Sequence, residues 1–175
     1  MTTFKDLAIR RRSHRKFEEK VIEQEKIDSI LQTVLMAPAG KRANEWQFYV
    51  VTDKETSLKL SECKQFGAAF VKEAPLNIVV TADTSKSDVW IEDCAIAAIY
   101  LQLAAEDLGL GSCWSQVRCR ESQTEGVMAE DYIKKLLNIP DGFAVECIIS
   151  IGYPADERKP YDLEKLPYEK IMVIR

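Results

Sequence analysis

Apolar residues recur at helical spacing in two early stretches of the chain. Phe4, Leu7 and Ala8 share one face of a first helix that Thr3 can cap and that runs to about Arg12. Ile27, Ile30, Leu31, Val34 and Leu35 do the same in a second helix, over 24–36, with Pro38 just past its end. The period then shortens. Gln47 to Thr52 and Leu76 to Thr81 are compact runs of β-branched and aromatic residues, which predict strands. Two short helices, 58–63 and 68–72, fit between them, and Pro75 closes the second.

From Val89 to Leu108 apolar residues occur nearly all round, the mark of a helix buried on most sides; Gly109 and Gly111 end it. An extended piece over 112–117 follows, then a helix over 129–137 and a turn at Pro140-Asp141-Gly142. Ala144 to Ile151 is a third interior strand. The last six residues, Lys170 to Arg175, read as a strand cut off by a polar, proline-containing arm. Such a strand needs a sheet to join, and a partner chain offers one. With no repeat and no low-complexity linker, the 175 residues predict a single domain, 1–175.

Composition narrows the classes. Hydrophobic residues make up 46% and charged residues 30%, ordinary for a globular protein, and no stretch nears the roughly 20 apolar residues that cross a bilayer. The N-terminal stretch lacks the apolar core of a secretory signal, so a cytoplasmic protein with no membrane partner is expected. Five cysteines, two of them (Cys94 and Cys147) inside apolar runs, suit reduced thiols better than a disulfide framework. Cys113 and Cys119 lack partners at metal-ligand spacing, so no metal is expected. A net charge of -4 argues against a general nucleic-acid binder.

Against that acidic background, Arg10-Arg11-Arg12-Ser13-His14-Arg15-Lys16 packs five fixed positive charges and a hydroxyl into seven residues. Arg11, Ser13 and Arg15 alternate, so an extended chain would point them one way and line a wall of an anion site. The plainer reading is a solvated helix end, where cations meet the C-terminal dipole. Three further stretches carry turn chemistry: Ala37 to Phe48, with Pro38, Ala39, Gly40, Arg42 and Asn44; Gly109 to Trp114; and Ile139 to Gly142, followed by a strand and Gly152-Tyr153-Pro154.

In their order, these four motifs resemble the FMN-dependent nitroreductase family along essentially the whole chain. The family's R-R-S-x-R is matched by Arg11, Arg12, Ser13, His14 and Arg15. Its A-P-S-G-x-N-x-Q-P-W appears as APAGKRANEW, its acidic opening of a buried helix as Asp93, its G-L-G-S-C-W as Gly109 to Trp114, and its I-P-x-G and G-Y-P as Ile139 to Pro154. The resemblance implies an α+β fold: a central mixed or antiparallel sheet flanked by helices, with the C-terminal strand extending to a dimer partner.

The resemblance also implies FMN as cofactor and NADH or NADPH as co-substrate. Arg11 and Ser13 would serve the phosphate and ribityl region, with Arg12 beside them among the cofactor-binding residues or solvated, and Arg15 the pyrimidine edge, where a cation raises the flavin's tendency to accept hydride. Arg158 or Lys159 would complete the phosphate site. Trp114, Ser115 and Gln116 would lie against the flavin, with the Val117 backbone N–H facing its N5. The loop with Pro38, Ala39, Gly40, Arg42 and Asn44 would cross to the other subunit's flavin; Ala39, Arg42, Asn44 and Glu45 depart there from the family pattern. His14 is expected to be structural, and Trp46, Trp114, Phe66 and Phe70 either line the cleft or pack. The short connection from Asp83 to Trp90 implies an open pocket. The implied activity is ping-pong hydride transfer to a nitroaromatic, quinone or similar small-molecule acceptor. A dehalogenase or flavin-destructase reaction, or a flavin-holding dimer without efficient turnover, are the alternatives on the same fold.

Overall fold

The computed structural model describes residues 3–175. Helix α1 spans Phe4–Arg10, and Thr3 caps it by accepting from the Asp6 N–H while Asp6 accepts from the Thr3 backbone. Helix α2 spans Gln24–Val34 and buries Ile27, Ile30 and Val34, the expected apolar stripe. Strand β1 is Trp46–Val51, helix α3 Lys54–Ser61 and strand β2 Leu76–Asp83. Helix α4 is Trp90–Asp107, strand β3 Gly111–Gln116, helix α5 Ala129–Leu137 and strand β4 Phe143–Gly152. The segment expected as a helix over 68–72 is instead a tighter 3-10 turn, Ala69–Glu73.

The four strands form one antiparallel sheet in the order β1-β2-β4-β3. β2 and β4 are therefore central, which explains their unbroken apolar runs: each is covered on both faces. On one face α2 and α4 pack over Leu76, Ile78, Val80, Cys147, Ile149 and Ile151. On the other, α3, the 3-10 turn and α5 cover Val79, Val145 and Ile148. Asn77 ties the second layer to the sheet, donating to Ser57 Oγ and the Val71 carbonyl and accepting from Ser150 Oγ at 2.6 Å.

Residues 12–17 leave α1 extended and run along the outer edge of β3. Ser13 makes a parallel bridge to Ser112, the His14 N–H donates to the Ser112 carbonyl, and Phe17 bridges Pro154. The sheet is thus antiparallel throughout its four strands, with one parallel contact at this edge.

The C-terminal segment, expected to extend as a strand to a partner chain, has no regular strand within the single chain. Residues 171–175 form no strand and join no sheet among the described residues; Ile171, Met172, Val173 and Ile174 are 65–96% exposed. The arm before them is held against α1 and the residues after it, by the Tyr161 N–H donating to the Ile9 carbonyl and Arg12 donating to the Lys159 carbonyl.

Two glycines mark where main chains approach too closely for a side chain. A Cβ at Gly111 would lie 2.9 Å from the His14 ring, and one at Gly152 would lie 2.7 Å from Pro75 and 2.8 Å from Phe17. Both contacts join the edge segment to the sheet. Alanine at either position is expected to cost roughly 1–3 kcal/mol in urea unfolding; an unchanged midpoint would mean that the segment yields freely.

Candidate functional site

The basic segment and the bend after α3 both dock on β3, the first at Ser112 and the second at Ser115 and Gln116. Docking on β3 keeps residues 12–15 extended, which turns Ser13 and Arg15 to the same side as Arg11, with the Cys113 thiol on the strand beside them. Burial pushes that thiol's pKa up, and Arg15, Ser13, Lys64 and Arg11 all act to lower it. Arg11 and Arg15 make no ion pair and no side-chain hydrogen bond among the described residues. Three cationic side chains therefore act on one buried position. That arrangement suits an anion.

The next residues form a tightly bonded floor. Trp114 Nε1 donates to Gln116 Oε1 at 2.9 Å, and Gln116 Nε2 reaches the Arg118 carbonyl at 3.2 Å and Glu146 Oε1 at 3.4 Å. Ser115 is buried and donates to the Gly67 carbonyl. Trp114 is half-buried against the core, which answers its packing reading. Glu146 sits at a bulge: Val80 opposes Cys147 and Thr81 opposes Val145, leaving Glu146 unmatched. Its carbonyl accepts from both the Val117 and Arg118 N–H groups, at 3.2 and 3.1 Å. The Val117 N–H, which the resemblance turns toward the flavin, thus has a main-chain acceptor within the chain. Val117 is fully buried and its N–H is already spent on the bulge.

Other predicted residues lie elsewhere. Arg12 is turned to the C-terminal arm, donating to the Lys159 carbonyl and stacking 4.6 Å over the Tyr161 ring. Arg158 pairs with Asp156 at 2.6 Å, and Asp156 also accepts from His14 Nδ1 at 2.8 Å. His14 is therefore buried and structural, and with Arg10 and Arg158 it lines a separate hollow of about 290 Å³. No hydrogen bond or ion pair joins Arg158 or Lys159 to Arg11, Ser13 or Arg15 among the described residues. Phe70 belongs to the core and Phe66 stands in solvent. Trp46 tilts against Phe48 with ring centres 5.6 Å apart.

The loop with Pro38, Ala39, Gly40, Arg42 and Asn44 leads into β1, on the opposite edge of the sheet from β3. Three strand spacings, about 14 Å, separate the two edges. One chain does not bring this loop to the basic segment. The loop is strained all the same: Lys41, Arg42 and Asn44 have φ of 53°, 57° and 47°, and the Gly40 N–H donates to both Asp93 oxygens at 2.9 Å.

A model of the Nitroreductase family matches residues 8–64 and 60–153. The chain belongs to that family. Its fold superposes on an FMN-dependent nitroreductase from Clostridium difficile R20291 with a TM-score of 0.94 and 47% identity, over 97% of this chain and 98% of that one. It is 35% identical to a putative NADH dehydrogenase/NAD(P)H nitroreductase of Methanothermobacter thermautotrophicus, covering 91% of this chain and 83% of the relative. It is also 27% identical to an iodotyrosine deiodinase of Thermotoga neapolitana, over 89% and 91%. Among the described residues of this nitroreductase-family chain, no helix is long and apolar enough to cross a membrane.

Sequence reasoning missed Lys64 and Glu146, each a charged residue in an otherwise ordinary stretch, and noted Glu45 only as a departure from the family pattern. Glu45 is 2% exposed with neither carboxylate oxygen hydrogen-bonded, and Glu146 Oε2 is likewise buried and alone. Burial pushes the Glu45 carboxyl above its usual range, with Asp93 adding to it, and burial does the same to Glu146. A carboxyl whose pKa rises on folding stabilises the protein fully below its unfolded value, and that stability is lost as pH climbs through the folded value. Glu45→Gln and Glu146→Gln should therefore raise the melting temperature more at about pH 8 than at about pH 5. Equal gains at both would mean that the carboxyls are ionised throughout.

Proposed function

We propose that this chain is an FMN-dependent oxidoreductase that carries hydride from NADH or NADPH to a small acceptor, a nitroaromatic, a quinone or a related compound, and that it works as a homodimer. The observation that carries this reading is the uncompensated positive charge of Arg11 and Arg15 beside Ser13 on the edge of β3. The donor set suits a phosphorylated cofactor: two guanidiniums offer planar forks to phosphate oxygens, and a hydroxyl adds a neutral donor. The names of the relatives, one an FMN-dependent nitroreductase and one an NAD(P)H nitroreductase, support the same choice.

When bound, FMN would supply two-electron hydride chemistry that no side chain of this protein can perform. The chain's own part is binding and orientation. Arg11 and Ser13 would hold the phosphate and ribityl end, and Arg15 the polar edge of the ring. Trp114, Ser115 and Gln116, locked by their mutual bonds and by the Glu146 bulge, would give a rigid surface for the ring to lie on. The cofactor site would be completed by residues 38–44 of a second copy, because the sheet keeps the chain's own loop on the far edge. Exposed Leu35, Met36, Ile96 and Ile99 offer apolar surface for that second copy, and the tail from Ile171 to Ile174 would cross to it.

The resemblance to an iodotyrosine deiodinase favours one second reading, reductive dehalogenation on the same cofactor. Steady-state oxidation of NADH with menadione or a nitrofuran separates the two, since a dehalogenase turns these over poorly and releases halide from a halophenol.

Purified protein incubated with FMN and desalted should stay yellow, bleach on addition of NADH or NADPH, and scatter light as a dimer. Colourless protein defeats the proposal, and so does bound flavin that neither nicotinamide bleaches. Arg11→Ala should weaken FMN binding roughly tenfold to a hundredfold, the range expected for losing a charge-assisted hydrogen bond. Arg12→Ala, whose guanidinium serves the C-terminal arm, should weaken it far less.

A further inference from the structure

The loop on the far edge of the sheet is held from both ends by buried carboxyl groups. Asp93, in the first turn of α4 and 4% exposed, accepts the Gly40 N–H on both oxygens at 2.9 Å. Gly40 allows this approach, since a Cβ there would lie 2.7 Å from Val89 and 3.3 Å from Asp93. Glu45 closes the other end. Its carbonyl accepts the Asp83 N–H at 2.9 Å, which fixes its main chain to the sheet. Its side chain is buried with no hydrogen-bond partner on either oxygen. Between these two posts, Lys41, Arg42 and Asn44 keep left-handed backbones.

The side chain that Glu45 meets is the Asp93 carboxyl, an acceptor like itself. No cation balances the two. Lys41 pairs with Asp88 and Lys86 with Asp83, and no ion pair reaches Glu45 or Asp93 among the described residues. Two other groups face them. The Ser87 hydroxyl, from the connection after β2, favours an ionised Glu45. The Cys94 thiol of α4 is pushed up to about 12 by burial and by Glu146, Glu45 and Asp93. Two ionised carboxylates only accept hydrogen bonds, and they repel in a buried space; one proton makes them a donor and an acceptor. Asp93 already accepts a main-chain N–H at a helix N-terminus, where negative charge is favoured, so the proton belongs on Glu45.

We infer that Glu45 is a positioning residue: one proton shared between Glu45 and Asp93 latches residues 38–44 in the shape that a second copy's cofactor site needs. This rests on the homodimer and FMN reading above. Glu45 acts through Asp93 and Gly40, not by touching the cofactor. While the proton is present the loop is held. As pH climbs and the pair loses it, two buried negative charges face each other, the Gly40 contact loosens, and cofactor binding falls on the alkaline side. Position 45 is one of the departures from the family pattern, which has proline there and no proton to share.

The test compares wild type, Glu45→Gln and Asp93→Asn from about pH 6 to about pH 9. Two quantities are read: hydrogen exchange over residues 38–46 of the apoprotein, relative to the chemical rate at each pH, and affinity for FMN by fluorescence quenching. Each amide keeps a donor beside an acceptor at every pH. Wild type is expected to lose protection over 38–46 and affinity for FMN by about tenfold each across this range, since one proton allows up to about tenfold per pH unit. Both amide variants should stay within about threefold on both readings. Wild-type protection that does not change with pH overturns the inference, as does a fall that the amide variants share. A loop that loosens with no change in FMN affinity overturns the assigned role. Loss of the whole fold in wild type at about pH 9, seen by circular dichroism, also overturns it, because the pair would then support the entire structure rather than this loop. Failure of both amide variants to fold counts against it equally, since an amide in place of the shared proton preserves the bond. Wild-type protein that takes up no FMN at any pH would instead defeat the cofactor reading itself, while exchange still reports on the latch.

Discussion

Everything at the candidate site depends on main-chain hydrogen bonding between residues 12–17 and the edge of the sheet. The His14 N–H on the Ser112 carbonyl, the Glu18 N–H on the Tyr153 carbonyl and the Ala155 N–H on the Lys16 carbonyl hold an arginine-rich segment extended beside β3. Left free, the same residues would be a solvated helix end, each guanidinium screened by water. Fixed to a strand, alternate side chains are sent in different directions and acquire different work. Arg11, Ser13 and Arg15 share one side of the segment, while Arg12 and His14 anchor the C-terminal arm. Gly111 and Gly152 permit the approach because a Cβ at either would collide with the segment being docked.

The bulge at Glu146 is a second consequence of how this edge is built. A regular β4 would carry the ladder with β3 straight on past Gln116. Instead, one unmatched residue turns a single carbonyl toward two successive N–H groups, of Val117 and Arg118, and ends the pairing there. The carbonyl of Gln116 remains available on the other side of that peptide, and Lys64 takes it. The peptide between Gln116 and Val117 is thus clamped from both ends, which favours a rigid floor over a movable lid. A rigid site on strands is the arrangement that binds and orients a cofactor with the least reorganisation.

The repeating parts of the molecule were legible in the sequence, because a period survives without knowledge of what it packs against. Ile27, Ile30 and Val34 mark the inward face of α2, and the unbroken run from Leu76 marks a central strand. Arg11, Ser13 and Arg15 were legible for a related reason: alternation has meaning once the chain is extended. The partners of single residues were not legible. Nothing in the run from Val145 to Ile151 marks Glu146 as a bulge, and nothing after α3 marks Lys64 as buried; both follow from long-range pairings of 30 and 52 residues. Arg12 sits inside the recognised motif, but its partner lies 147 residues away, in an arm without regular structure.

The sheet order gives the most consequential constraint that sequence did not disclose. With β1 and β3 on opposite edges, the strained loop at Lys41, Arg42 and Asn44 cannot help enclose a ligand held at β3 of the same chain. Yet that loop keeps three residues in a left-handed conformation that costs energy, and it is fastened to the start of α4 through the Gly40 N–H on Asp93. Such strain is retained where surrounding contacts over-determine it, and the usual reason is a binding surface. In one chain this loop has nothing to bind. A symmetric pairing that lays one copy's loop on the other's β3 edge would use the strain, cover apolar Leu35, Met36, Ile96 and Ile99, and give the unpaired tail a sheet to join. The strained loop on the far edge, the exposed apolar residues and the tail without a sheet thus favour the same second copy on three counts.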